Sequence, residues 1–340
     1  MKLGILNGGG DCAGLNAVTR AVVRKSEQFG YENVGIRHGW QGLLELDTVP
    51  LNWSDVSHII NQGGTILHTT RTNPFNRKNG PETVLENARK LGLDALIAVG
   101  GEDTLSVAAK LSKMGLKVVG VPKTIDNDIV STDMTFGFDS AVNVTVDAID
   151  RIQTTGESHD RIMVVEVMGR DAGWIAAYAG LASGANLVLV PEEPFDLNIM
   201  ADFLKQRHAK GATASIVVVG EGCRLKDYPA SNSKEVDEFG HGRLGGIGEA
   251  LARELEKRAG IETRAVVLGH VVRGGPPSAY DRILATRLAV TAVQCVKEGV
   301  FGVMVCVRGN SISKVPLESI IGKMKTLDQE TLSLIKDFNA

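Results

Sequence analysis

Leu116-Lys117-Val118-Val119-Gly120-Val121-Pro122-Lys123-Thr124-Ile125-Asp126-Asn127-Asp128 is the stretch that decides the fold. A β-branched apolar run that stops at a proline and empties into polar residues reads as a buried parallel strand followed by a loop. Loops at the carboxyl ends of such strands are where α/β folds carry their chemistry. This one holds two carboxylates one residue apart, Asp126 and Asp128, beside Lys123 and Thr124. The set suits phosphoryl transfer, which needs a base for an attacking alcohol, an acid for a divalent metal and a cation for the moving group. Taken alone, Asp-Asn-Asp is also the chemistry of a capped turn, so the surrounding chain has to decide.

The same pattern recurs on both sides. Upstream, Leu3-Gly4-Ile5-Leu6 runs into Asn7-Gly8-Gly9-Gly10-Asp11-Cys12-Ala13-Gly14-Leu15-Asn16 and a helix expected to reach about Phe29. Glycines there let backbone N–H groups approach an anion, and the helix N-terminus adds partial positive charge. Ala95-Leu96-Ile97-Ala98-Val99 likewise meets Gly100-Gly101-Glu102-Asp103-Thr104 and then a helix. Three such loops in the first 130 or so residues predict a parallel sheet whose strand ends converge on one phosphate site. Gly8-x-Gly10-x-x-Ala13, with Glu32 beyond it, also fits the dinucleotide fingerprint, but the pattern is short and does not distinguish a dinucleotide from another phosphate ligand. Between the glycine loops, Gly39-Trp40-Gln41-Gly42-Leu43-Leu44 reads as a turn. Thr69-Thr70-Arg71-Thr72-Asn73-Pro74 offers Arg71, amid hydroxyls, as a phosphate clamp or a solvated charge.

Downstream, Phe136-Gly137-Phe138-Asp139-Ser140 precedes a helical segment from Ala141 to about Thr155, and a second domain is expected to begin there. Ile162–Val167 is a strand that ends in Met168-Gly169-Arg170, with Arg161 just before it. Leu187–Val190 follows, then Ser215–Val219 running into Gly220-Glu221-Gly222. Thr263 to Gly275 sets Arg264, His270 and Arg273 around one more strand. Strands alternate with helices throughout, so both halves read as α/β. The expected domains are 1–137 with about 272–322, and 138–271 with about 323–340. The polar stretch 224–246 reads as a surface insertion.

Composition narrows the function classes. At 340 residues, the chain exceeds what one ordinary core organises, so two domains sharing a substrate are expected. A formal net charge of −3 leaves no general basic field, which argues against nucleic acid and leaves anion binding to local arginines. Cys12, Cys223, Cys295 and Cys306 show no paired spacing and read as small buried thiols of a reducing compartment. No apolar run reaches 18 residues and no leader is evident, so a cytoplasmic protein with no membrane partner is expected.

Taken together and in order, these motifs closely resemble the phosphofructokinase family over nearly the whole chain. They are Gly8-Gly9-Gly10-Asp11 with Gly14 and Asn16, Gly100 to Thr104, Thr124 to Asp128, Val165 to Arg170, and Leu268-Gly269-His270 through Arg273-Gly274-Gly275. The resemblance implies two Rossmann-like three-layer domains with mainly parallel sheets, the phosphoryl donor on the first and the sugar phosphate largely on the second. It implies that Asp126 is the general base, flanked by Thr124 and Asp128, and that Glu102 and Asp128 hold Mg²⁺. Gly9, Gly10, Gly101, Asp103, Lys123 and Arg71 then belong to the donor. Thr124, Asp126, Met168, Gly169, Arg170, Glu221, His270 and Arg273 belong to the sugar. Arg161 and Arg264 match arginines that reach into a neighbouring subunit's site, so self-association is implied.

Two departures bear on the donor. ATP-using relatives commonly carry glycine where this chain has Asp103 and Lys123, and the pair resembles the pyrophosphate-dependent branch. A carboxylate at Asp103 would repel a nucleotide's α-phosphate, while Lys123 suits a compact diphosphate. The expected reaction is reversible phosphoryl transfer from pyrophosphate to the 1-hydroxyl of fructose 6-phosphate. The alternatives are ATP as donor, a non-catalytic sugar-phosphate sensor, which has no need of a base, and a dinucleotide oxidoreductase, which leaves the Asp-Asn-Asp loop unexplained.

Overall fold

The computed structural model describes residues 1–225, 238–240 and 245–339, so most of the expected insertion at 224–246 lies outside the described residues. In chain order the elements begin with β1 (Lys2–Asn7), α1 (Leu15–Glu27), β2 (Glu32–Ile36), α2 (Trp40–Glu45), β3 (Thr48–Leu51), α3 (Gly80–Lys90), β4 (Ala95–Gly100) and α4 (Glu102–Lys113). Next come β5 (Val118–Thr124), β6 (Phe136–Gly137), α5 (Phe138–Ser158), β7 (Ile162–Val167), α6 (Trp174–Ala182) and β8 (Leu187–Leu189). The chain closes with α7 (Leu197–Ala209), β9 (Ser215–Gly220), α8 (Ile247–Ala259), β10 (Thr263–Val267), α9 (Ala279–Lys297), β11 (Val303–Arg308), β12 (Ser311–Pro316) and α10 (Gln329–Phe338).

Two compact units result. The first comprises residues 1–140, 238–240 and 273–324, and the second 141–225, 245–272 and 325–339. The first unit's sheet runs β12-β11-β5-β4-β1-β2-β3, with β6 beside β5. The chain steps from β1 to β2 on one side and later to β4 on the other. The strand order therefore reverses at the β1/β4 pair, where α/β sheets open a ligand crevice. Parallel pairing holds among β2, β1, β4, β5, β6 and β11, while β3 and β12 run antiparallel at the edges. The second unit's sheet is wholly parallel, β10-β7-β9-β8.

Every residue of β4, β5, β7 and β9 is buried, because helices cover both faces of these sheets. In the first unit the core gathers Leu6, Ile36, Leu96, Leu105, Val118 and Met304. In the second it gathers Ile162, Val164, Leu189, Leu204, Val217 and Leu251. All four cysteines are free and buried, and burial pushes the Cys12 and Cys223 thiols up to about 12, so neither is a ready nucleophile. No helix among the described residues is long and apolar enough to cross a membrane.

The expected turn at Gly39–Leu44 is instead the short helix α2. Trp40 and Leu43, one helical turn apart, are both buried, and that apolar spacing outweighs two glycines. Gly42 is required there by crowding, since a Cβ would lie 2.0 Å from the Arg37 carbonyl oxygen.

One buried acid ties the start of α5 to α9. Asp281 is fully buried, and its Oδ2 accepts from the Ser140 N–H at 2.8 Å and the Ser140 hydroxyl at 2.6 Å. Burial pushes its carboxyl up to about 6, with the Ser140 and Gly137 hydrogen bonds opposing and Asp139 assisting the shift. A raised acid pKa stabilises the fold fully below the unfolded value of 3.8, and that stabilisation is lost as pH rises toward 6. The difference amounts to about 3 kcal/mol. Asp281→Asn keeps an acceptor for Ser140 without the charge, so its Tm relative to the parent should climb between pH 4 and pH 7. A difference that stays flat over that range would remove Asp281 as the titrating group.

Candidate active site

In the first unit three loops meet at strand carboxyl ends. The Gly8–Gly14 loop leaves β1, and its trace is held by Gly8 N–H donating to the Val99 carbonyl at 2.9 Å and Gly9 N–H to the Thr70 carbonyl at 3.0 Å. Those two donors are therefore spent on the protein, which limits the expected glycine cradle to the N–H groups beyond them. Thr69 donates its hydroxyl to the Gly9 carbonyl at 2.6 Å, so the 69–72 segment carrying Arg71 is stitched to the glycine loop.

Thr104, the hydroxyl residue that follows the two acids at the start of α4, is a buried spacer between two glycine loops. A Cβ on Gly8 would lie 2.5 Å from its Oγ1, and one on Gly100 would lie 2.4 Å from its Cβ. Both glycines are needed for this approach.

Lys123, the penultimate residue of β5, is 4% exposed and points at the glycine loop. Its ammonium donates to the Gly10 carbonyl, and a Cβ on Gly9 would stand 3.5 Å from its Nζ. Burial holds its pKa below the ordinary lysine value, reinforced by Arg273 and opposed by Asp126 and Asp11. Arg273, expected from the resemblance among the sugar residues, belongs to the first unit. It is 9% exposed, donates from Nη1 to the Asp11 carbonyl at 3.1 Å, and lies 2.9 Å from where a Gly10 Cβ would be. Two buried cations thus flank one glycine loop, an arrangement that favours an anionic ligand.

The acids follow. Glu102 and Asp103 open α4. Glu102 Oε1 accepts from the Ser106 hydroxyl at 2.5 Å and the Gly322 N–H at 2.9 Å, which orients the carboxylate. Asp126 is 6% exposed. Thr124 donates to its Oδ2 at 3.3 Å and accepts its N–H at 3.0 Å. Its other oxygen, Oδ1, is buried with no hydrogen-bond partner. An acceptor left so in an ordered loop is costly to keep, and a proton or a cation would satisfy it.

Asn127, to which the sequence assigned no role, pins this loop. It is fully buried at φ 50°, and its Oδ1 accepts the Thr135 N–H at 3.1 Å. Asparagine's tolerance of the left-handed region was the available signal. Among the described residues no group of three or more His, Cys, Asp and Glu side chains could hold a metal by itself.

In the second unit, Met168, Gly169 and Arg170 leave β7, and Glu221 leaves β9 beside them. Glu221 Oε1 accepts the Gly169 and Arg170 N–H groups at 3.2 and 3.0 Å, fixing a loop in which Arg170 itself has φ 52°. His270 follows β10 in a short 3-10 turn at the same end of the sheet. Arg161 and Arg264 lie at the opposite end, Arg161 just before β7 and Arg264 opposite Met163 on β10. Seven residues of extended chain, about 23 Å, separate Arg161 from Met168. One small sugar phosphate does not span that distance.

Known proteins resemble this chain over nearly its whole length. A family model described as phosphofructokinase matches residues 2–296. The chain is 52% identical over 331 residues, 96% of each chain, to a Streptomyces coelicolor protein named pyrophosphate–fructose 6-phosphate 1-phosphotransferase. It is 48% identical, again over 96% of each, to ATP-dependent 6-phosphofructokinase 3 of the same organism. A crystal structure of a pyrophosphate-dependent phosphofructokinase from Marinobacter aquaeolei superposes with a TM-score of 0.83 at 23% identity, covering 100% of this chain and 92% of that one.

Proposed function

The chain belongs to the phosphofructokinase family, and from that membership we propose that it transfers a phosphoryl group reversibly from pyrophosphate to the 1-hydroxyl of fructose 6-phosphate, giving fructose 1,6-bisphosphate and phosphate. The observation that carries the reading is the buried Asp126 Oδ1 without a partner, in the same unit as the buried cations Lys123 and Arg273. A sensor has no use for such an acceptor. A dinucleotide oxidoreductase leaves it and the cation pair unexplained.

Asp126 takes the proton of the 1-hydroxyl, and its short tie to Thr124 holds it in place. Lys123, Arg71 and the free N–H groups of the glycine loop bind the donor and offset charge as the phosphoryl group moves. Glu102 and Asp128 would hold Mg²⁺, which when bound neutralises phosphate charge and aligns the donor. Met168, Gly169, Arg170, Glu221 and His270 bind the sugar. Arg161 and Arg264 serve the 6-phosphate of a neighbouring copy, because their own strand ends face away from Met168–Arg170. A monomer would then lack part of its site. The first unit is thereby the donor domain and the second the sugar domain.

Pyrophosphate is the donor because Asp103 stands in the first turn of α4 and the Lys123 ammonium fills the space beside Gly9. A nucleotide has to bring an α-phosphate past that carboxylate. Initial rates with fructose 6-phosphate and Mg²⁺ should show turnover with pyrophosphate and none with ATP, and Asp103→Gly should admit ATP. Turnover of the parent with ATP would overturn the donor, and a variant that still excludes ATP would overturn the role of Asp103.

A further inference from the structure

Where β7 and β10 begin, the second unit's sheet holds a cluster in which Arg161 and Arg264 are already paired with acids. Thr263 pairs with Ile162 in register, so Glu262 and Arg161 are neighbours across the ladder, and the Ile162 N–H donates to the Glu262 carbonyl at 3.0 Å. Arg161 Nη2 lies 2.7 Å from Glu262 Oε1. Arg264 Nη2 donates to that same Oε1, and its Nη1 reaches the Thr263 carbonyl at 3.0 Å, with Glu256 Oε2 3.8 Å away. Arg161 Nε is buried and has no partner. One carboxylate oxygen therefore bridges two guanidinium groups, one of which keeps an unused donor.

We propose that Glu262 is an internal stand-in for phosphate, which holds Arg161 and Arg264 side by side until a phosphate monoester displaces it. The proposal rests on reading those two arginines as phosphate-binding. A phosphate oxygen between two arginines takes the position that Oε1 now occupies, and the ester brings further acceptors for the idle Arg161 donor. Glu262 and a dianion do not share the forks, because like charges would stand within hydrogen-bonding distance of the same groups. The two arginines with Glu262 and Glu256 sum to no net charge, so the cluster has little pull on an anion until Glu262 leaves. Leaving is cheap, because the Glu262 side chain is 39% exposed and turns into water. Arg161 holds the Glu262 carboxyl below the usual glutamate range, so the stand-in is charged at neutral pH. The device lowers affinity for all anions and selects the doubly charged phosphate ester over a carboxylate, which only matches what it has to replace.

The test is steady-state kinetics of the full chain with pyrophosphate and varied fructose 6-phosphate, alongside calorimetric binding of the sugar phosphate. Glu262→Gln should lower the sugar KM and its dissociation constant about two- to fivefold, with the KM for pyrophosphate unmoved. Glu262→Asp should return both toward the parent. In an Arg161→Ala background the gain from Glu262→Gln should vanish. A sugar KM that rises or stays fixed in Glu262→Gln overturns the stand-in. The arginine assignment has its own control, because Arg161→Ala and Arg264→Ala should each raise the sugar KM at least about tenfold. If they do not, the phosphate reading of the arginines fails, whatever Glu262 does.

Discussion

Asp126→Asn should lower kcat for pyrophosphate-dependent phosphorylation by about a thousandfold, in the middle of the range for loss of a positioned general base. The asparagine keeps the size of the side chain, its N–H bond to Thr124 and an oxygen for the Thr124 hydroxyl. What it loses is the capacity to take a proton at Oδ1, the atom that the folded loop leaves buried and unpartnered. The loss should therefore appear in kcat, while the sugar KM moves by no more than a few fold. Calorimetric binding of fructose 6-phosphate should survive in the variant. Turnover within tenfold of the parent would take Asp126 out of the role of base and leave its buried oxygen to a metal.

The second large effect should come from Lys123→Met, and it should separate activity from stability. The ammonium is almost fully buried and burial lowers its pKa, so in the free protein the charge is a burden on the fold. Methionine fills similar space with no charge and gives up only the bond to the Gly10 carbonyl. The variant's Tm should hold or rise. Turnover with pyrophosphate should fall about a hundred- to a thousandfold, the usual loss when a donor aimed at developing charge is removed. Loss of activity together with a lower Tm would mean that Lys123 is mainly a structural strut for the glycine loop.

Much of this was legible along the chain because buried parallel strands advertise themselves. Ala95–Val99, Val118–Val121 and Ile216–Val219 are continuous apolar runs and Ile162–Val167 is interrupted only by Glu166, and each lies in a fully buried strand. The turn expected at Gly39–Leu44 failed because glycine is a local signal, whereas the burial of Trp40 and Leu43 in α2 is a tertiary one. The helix starting at Phe138 rather than Ala141 has a similar cause. Its first turn is held by Asp281, which lies 141 residues beyond Ser140.

The alternation of buried strands with helices, the α/β class and the family all follow from the residues in line, because periodicity and glycine-loop motifs are properties of neighbours. Only the folded chain decided which atoms remain available. Gly8 and Gly9 N–H are consumed by Val99 and Thr70, Thr104 becomes a spacer, and Arg273 joins the glycine loop. Asp126 Oδ1 is left without a partner, and Glu262 bridges Arg161 and Arg264. Each of these depends on hydrogen bonds and burial between residues far apart in sequence, and such pairing is set by the packing of the strands rather than by any local pattern.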